Sequence, residues 1–247
     1  MEKMKKEIKL VALDMDGTLL TNEHEVTDYT KKVIEKALDK GVHVVLSTGR
    51  WLQSCYPYAV TLKLPSYLVT SNGGEIYTVQ KEIIEQHLLD ADKMEKMWTL
   101  GKEIGLSMWI VSTEGVFRET PPGRFQDYKW LKFGCDSYDK EKLDKMVKEL
   151  SYIEGLELTN SLPTNLEANP KGVSKASALE TVCKKLDFTM EEVMAVGDSL
   201  NDMKMIQAAG IGVAMGNAQE AIKKAADFVT DTNNNDGVAK AIERFVL

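Results

Sequence analysis

Five short apolar runs rich in Val, Ile and Leu recur along the chain: Ile8 to Leu13, Val42 to Leu46, Tyr67 to Val69, Val193 to Val196 and Ile211 to Ala214. Apolar runs this short, bounded by turn residues, read as strands buried on both faces, the condition of a parallel sheet. Between the first two, Val26 to Lys40 carries Val33, Ile34, Ala37 and Leu38 at helical spacing and stops at Gly41, which supplies a crossover helix. The alternation resumes after Val193, with Met203 to Ala209 helical, Gly210 as the stop, a strand, and Ala218 to Ala226 helical again. Strand, helix, strand in repetition predicts an α/β fold, an open Rossmann-like parallel sheet with helices on both faces.

The middle of the chain follows another pattern. A helix at Asp92 to Ile104 is followed by strand-like runs at Leu106 to Val111 and Val116 to Glu119 and by a Pro121-Pro122-Gly123 turn. A strand at Lys129 to Cys135, a helix at Lys140 to Leu150 and strands near Leu156 and Leu166 complete it. This predicts an α+β insert with an antiparallel sheet, residues 86–167, inside a discontinuous core of residues 1–85 and 168–247. A chain of 247 residues is long enough for two such units.

Composition removes several classes of function. No segment approaches the roughly 18 apolar residues that span a bilayer. Met1 to Glu7 is too charged, and the apolar run after it too brief, for a signal peptide, so a cytoplasmic protein is expected. The net charge of −7, with lysines mixed among acids, disfavours a nucleic-acid partner, which requires a continuous basic face. Cys55, Cys135 and Cys183 form no C-x-x-C pair and read as reduced packing residues. The chain does not disclose an oligomeric state.

In an open parallel sheet, ligands bind beyond the carboxyl ends of the strands. Here those ends run into Asp14-Met15-Asp16-Gly17-Thr18, Ser47-Thr48-Gly49-Arg50, Thr70-Ser71-Asn72-Gly73-Gly74 and Gly197-Asp198-Ser199-Leu200-Asn201-Asp202. Asp14 and Asp16, two apart on an extended segment, can address one ligand. The pair alone is better read as a solvated turn. An EF-hand spacing is met at Asp14, Asp16, Thr18 and Glu25, but Leu19 replaces the obligatory glycine and a strand precedes the loop. Asp198 alone reads as a helix N-cap, and Lys175 alone as a solvated lysine. Gly210, Gly212 and Gly216 miss the dinucleotide fingerprint by one residue. Two acid clusters at one sheet edge repel unless a cation lies among them, and hard oxygen ligands suit Mg2+ with a phosphate completing its shell.

Taken together, DMDGTLL at 14–20, STGR at 47–50, SNGG at 71–74, GVSK at 172–175, GDSLNDMKMI at 197–206 and AGIGVAMGNA at 209–218 resemble the haloacid dehalogenase-like phosphatases, in particular their Cof-type group. The resemblance covers both core segments in order and implies that the insert is a type-B cap. It implies that Asp14 is the nucleophile, forming an aspartyl-phosphate, and that Asp16 is the general acid and base. It implies that Mg2+ is held by the Asp14 carboxylate, the Asp16 backbone carbonyl and Asp198, with Asp202 anchoring the metal's waters and Lys175. The Met15 and Gly49 amides, Thr48, Lys175 and Asn201 are implied to bind the phosphoryl oxygens. Two departures are Ala176, where glycine is usual, and Trp51 after the STGR run; neither removes a functional group.

The expected activity is hydrolysis of a small phosphorylated metabolite, with a sugar phosphate as the first candidate. The alternatives are phosphoryl transfer to a sugar hydroxyl, as in the phosphomannomutases, which look similar in core and cap, and a non-catalytic sensor of a phosphate ligand. Substrate choice is expected to lie in the insert, where Arg118, Arg124, Tyr128 and Trp130 around the Pro-Pro-Gly turn are candidates; taken singly, each is more readily explained as surface charge or packing.

Overall fold

The computed structural model describes residues 7–247. The leader reading of Met1 to Lys6 lies outside the described residues. The first strand, β1 (Leu10–Leu13), is wholly buried and central, paired in parallel with both β2 (His43–Ser47) and a strand from the far end of the chain. Alternate residues point to opposite faces of a strand. Accordingly Val11 and Leu13 join one apolar cluster with α1 (Asp28–Asp39) and α2 (Leu52–Thr61), while Leu10 and Ala12 join another. The helix expected at Val26 starts two residues later because the Thr27 side chain accepts from the Thr30 amide and caps it.

After β3 (Tyr67–Thr70) the chain makes an antiparallel extension, β4 (Glu75–Thr78) and β5 (Ile83–Gln86). Each of the two holds only a pair of adjacent apolar residues beside polar or charged ones, so the sequence pattern predicts neither strand. A second unit follows: α3 (Ala91–Ile104), β6 (Ser107–Ser112), β7 (Val116–Arg118), β8 (Trp130–Asp136), α4 (Lys140–Ser151), β9 (Leu156–Thr159) and β10 (Asn165–Pro170). Its five strands, in the order β7-β6-β8-β10-β9, are antiparallel throughout. Met94, Met97 and Trp98 of α3 and Leu143, Met146 and Leu150 of α4 cover one face of this sheet. The first sheet reaches Gln86 and the second reaches Pro170, so each runs slightly past the boundary expected for it.

The chain then returns through α5 (Lys175–Leu186), β11 (Val193–Gly197), α6 (Met203–Ala208), β12 (Ile211–Ala214), α7 (Glu220–Ala225), β13 (Phe228–Val229) and α8 (Gly237–Phe245). The eight-stranded sheet has the order β13-β12-β11-β1-β2-β3-β4-β5, parallel from β13 to β3. Buried side chains of α5 pack on one face, and those of α1, α2 and α8 on the other. This is the α/β architecture expected from the apolar runs. No helix among the described residues is long and apolar enough to cross a membrane.

Candidate active site

Because β1, β2, β3 and β11 run parallel, their carboxyl ends lie along one edge, and the four polar loops meet there. Asp14, directly after β1, is 5% exposed. Its counterion comes from α5, where the side chain of Ser174 accepts from the Ser177 amide and the Ser177 hydroxyl accepts from the Ser174 amide. That reciprocal cap places Lys175 at the first helical residue, wholly buried, with Nζ donating to Asp14 Oδ1 at 2.6 Å and to Asp202 Oδ1 at 2.6 Å. Asp202 Oδ2 accepts from the Asp198 and Ser199 amides at 2.9 and 3.1 Å. Both oxygens of Asp202 are therefore engaged in holding the loop and the lysine.

Asp198 has softer support: its oxygens accept from the Ser199 hydroxyl at 3.0 Å and the Thr18 hydroxyl at 3.4 Å. Among the described residues it has no ion pair. Burial first, then the charge of Asp202, pushes its carboxyl up to about 7. Burial likewise raises Asp14 well above the usual carboxylate range, against the opposing pull of Lys175. The same burial disfavours the Lys175 ammonium, but Asp14 and Asp202 together outweigh it and hold its pKa above the ordinary lysine value.

One carboxylate oxygen from each of Asp14, Asp198 and Asp202 lies within 4.8 Å of the other two. A single ammonium among three close carboxylates leaves the cluster short of positive charge, and all of its donors are hard oxygens. The residues present therefore fit a divalent cation of the Mg2+ type.

Asp16 turns away from this floor. Its carboxylate lies at the rim, half exposed, in a bidentate pair with Arg50, Nε to Oδ2 at 2.8 Å and a terminal guanidinium nitrogen to Oδ1 at 2.5 Å. Arg50 stands in the STGR run but is not among the expected site residues. Thr48 is buried and its hydroxyl oxygen accepts from the Arg50 amide at 3.1 Å; Met15 is buried beneath the floor, and Asn201 is tied to Asn72 at 3.2 Å.

Above the floor lies a cavity of about 670 Å³, bounded on one side by Asp14, Asp16, Arg50, Trp51 and Asp198 and on the other by Trp109, Arg118, Lys132 and Glu167 of the second sheet. A volume of this order holds a small metabolite. Of the four insert residues expected to face a substrate, Arg118 lines the cavity, with its guanidinium 5.7 Å from the Trp109 ring centre. Arg124 is exposed outside it.

Tyr128 and Trp130 pack with Phe117 instead, and Trp130 is 0% exposed, its indole N–H donating to the Phe125 carbonyl at 2.8 Å. The reason is a bulge. The β6–β8 register slips between Val111 and Ser112, so Trp130 joins Phe133 and Cys135 on the helix-covered face while Lys132 points to the cavity. Of the lining residues that sequence reasoning missed, Lys132 had one signal, a charge flanked by Leu131 and Phe133 within a strand, whereas Glu167 lies in the mixed run Asn-Leu-Glu-Ala-Asn and had none.

The SNGG loop supports the floor from below. Gly73 has φ +97°, and a Cβ there would run into the Ser174 carbonyl at the start of α5. Gly73→Ala is expected to destabilise the protein by about 2 kcal/mol, through a strained backbone and displacement of the helix that carries Lys175. Urea unfolding checks this; an unchanged midpoint would show that the loop tolerates the side chain.

The haloacid dehalogenase-like hydrolase family model matches residues 11–133 and 124–242 of the chain. A Bacillus subtilis protein, 5-amino-6-(5-phospho-D-ribitylamino)uracil phosphatase, is 49% identical over 98% of this chain and 97% of its own length. A phosphoglycolate phosphatase from Methanobrevibacter smithii is 30% identical, over 97% of this chain and 99% of its own. The crystal structure of a haloacid dehalogenase-like hydrolase from Bacteroides thetaiotaomicron superposes with a TM-score of 0.83 at 31% identity, covering 96% of this chain and 99% of that one.

Proposed function

The chain belongs to the haloacid dehalogenase-like hydrolases, and from that premise we propose that it is a magnesium-dependent phosphatase of small phosphate monoesters, working through an aspartyl-phosphate on Asp14. The observation that carries this reading is the Asp14–Lys175 pair, 2.6 Å apart at the buried floor of a metabolite-sized cavity, with Asp16 at its rim. Lys175 engages Asp14 Oδ1 and leaves Oδ2 free to attack phosphorus.

In the first displacement that oxygen bonds to phosphorus as the ester P–O bond breaks, and Asp16, released from its pair with Arg50 and entering the step as the carboxylic acid, gives its proton to the departing alkoxide oxygen. In the second, Asp16 takes a proton from water, whose oxygen attacks the phosphoryl group and releases the Asp14 carboxylate. The hydroxyl of Thr48 and the side chain of Asn201 are assigned to the phosphoryl oxygens, with the Met15 and Gly49 amides and Lys175. Asp14, the Asp16 carbonyl and Asp198 would hold the magnesium ion, and Asp202 would brace the site through Lys175 and the Asp198 amide. The bound ion would supply charge to offset repulsion between the carboxylates and the phosphate.

The two sheets divide the labour in this reading. The eight-stranded unit is the catalytic core, and the insert, here bounded by the end of β5 and the end of β10, is a cap that shapes the leaving-group side of the cavity. A phosphorylated metabolite is the substrate class, and the uracil-bearing ribityl phosphate named for the Bacillus relative is the first compound to test.

A panel of phosphate monoesters, including that compound, phosphoglycolate and hexose phosphates, assayed for phosphate release with magnesium, tests the reading. Release from none of them in a folded protein would overturn it, and mass spectrometry of the products would reveal transfer to a second sugar. Saturating magnesium is expected to stabilise the wild type by about 2–3 kcal/mol at a hundredfold excess over Kd, and Asp198→Asn to lose most of that gain. Thermal melts with and without a chelator read both.

A further inference from the structure

Lys132 and Glu167 form a buried ion pair at 3.0 Å, each 3% exposed, and both belong to the cap sheet. A pair confined to one sheet would need no partner in the catalytic unit, yet each member reaches across to it. Lys132 Nζ donates to the Gly49 carbonyl at 2.8 Å. Gly49 O and the Arg50 N–H belong to one planar peptide, and that N–H donates to Thr48 Oγ at 3.1 Å. With its oxygen so occupied as an acceptor, the Thr48 hydroxyl hydrogen is left to donate to a ligand. On the other arm Glu167 Oε2 accepts from Asn72 Nδ2 at 2.7 Å, and Asn72 Oδ1 accepts from Asn201 Nδ2 at 3.2 Å, which leaves the second N–H of Asn201 available.

The convergence is close: a Cβ at position 49 would lie 2.9 Å from Asn72 Oδ1 and 3.3 Å from Lys132 Nζ, so a larger residue there would displace these side chains. Asn169, on the same cap strand as Glu167, adds a third tie by donating to the Ser71 carbonyl at 2.8 Å.

We infer that the Lys132–Glu167 pair is a positioning device through which the cap orients two phosphoryl-binding side chains of the core, Thr48 by way of the 49–50 peptide and Asn201 by way of Asn72. The inference rests on the phosphatase reading for what Thr48 and Asn201 bind. Its physical logic lies in where the charges sit. Both ions of this pair are on the cap, so each reaches the core through charge-assisted hydrogen bonds to neutral groups, and parting them from the core would not separate Lys132 from Glu167. In this arrangement both phosphoryl-binding arms are held by one buried unit.

The experiment is isothermal titration of inorganic phosphate, with magnesium chloride present, into the wild type and two variants, together with kcat and KM on the best ester of the panel. K132M/E167Q removes both charges together and strands neither, keeping an acceptor for Asn72. Asn72→Gly severs the other arm on the core side, where φ of +59° suits glycine. Each variant, with a melting temperature near the wild type, is expected to bind phosphate about tenfold more weakly and to lose about thirtyfold in kcat/KM. Weaker phosphate binding in a stably folded variant is the readout that a merely structural role would not move.

If the folded variants match the wild type in phosphate affinity and kcat/KM, the positioning role is wrong while the phosphatase reading stands. If one variant fails to fold, the other decides. A wild type that hydrolyses no ester overturns the phosphatase reading, and the positioning role falls with it.

Discussion

Lys175→Met is expected to abolish measurable turnover and to lower stability by about 3–5 kcal/mol, the range for breaking a buried ion pair by removing one partner. The lysine is 0% exposed and lies 2.6 Å from oxygens of both Asp14 and Asp202. Methionine keeps the packing volume of the stem but leaves Asp14, Asp198 and Asp202 with mutually close oxygens and no cation. For a chain of this size the loss corresponds to a fall of roughly 6–20 °C in melting temperature. Magnesium is expected to restore part of the stability, because an ion among the carboxylates replaces some of the missing charge, but not the activity. Calorimetry on the variant with and without magnesium tests this. A melting temperature within two or three degrees of the wild type in chelator, a margin set by about 1 kcal/mol, would mean that the acids are not held against one another by Lys175.

Asp14→Asn is expected to reduce kcat by at least roughly a thousandfold while the protein stays folded. The amide is nearly isosteric and can still accept from Lys175, and it relieves repulsion from Asp198 and Asp202, so the loss of one ion pair is partly offset. The two variants therefore separate chemistry from architecture: removing the lysine harms both, removing the aspartate charge harms turnover. Steady-state kinetics with magnesium, on protein shown by mass spectrometry to retain asparagine, reads the effect. Substantial magnesium-dependent hydrolysis by that protein would place the nucleophile elsewhere.

Much of the fold is legible in the amino-acid sequence. The strands at Val193 and Ile211 begin at the expected residues because their apolar runs are bounded by turn chemistry. The helix at Lys140 starts as expected because Asp139 caps it through the Glu141 and Lys142 amides. The β4–β5 pair and α2 are not legible: each of those strands holds only two adjacent apolar residues beside polar or charged ones, and α2 contains Pro57 and follows Trp51, which gives no side-chain cap. Trp130 shows the limit of reasoning from nearness to a turn, since the β6–β8 register slip puts it in the cap core and not in the cavity.

Sequence by itself determined the strand order's raw material, the four polar loops at the carboxyl ends, and the residue types able to attack, hold a cation and bind phosphate. These are local properties, written in apolar period, capping and spacing over a few residues. Only the tertiary structure decided which of those residues touch. Lys175 meets Asp14 across 161 residues, Asn72 meets Glu167 across 95, and Asp16 is drawn to Arg50 at the rim. Such pairings depend on how two sheets pack and where one register slips, and the cost of burying each charge is met only by the partner that packing delivers.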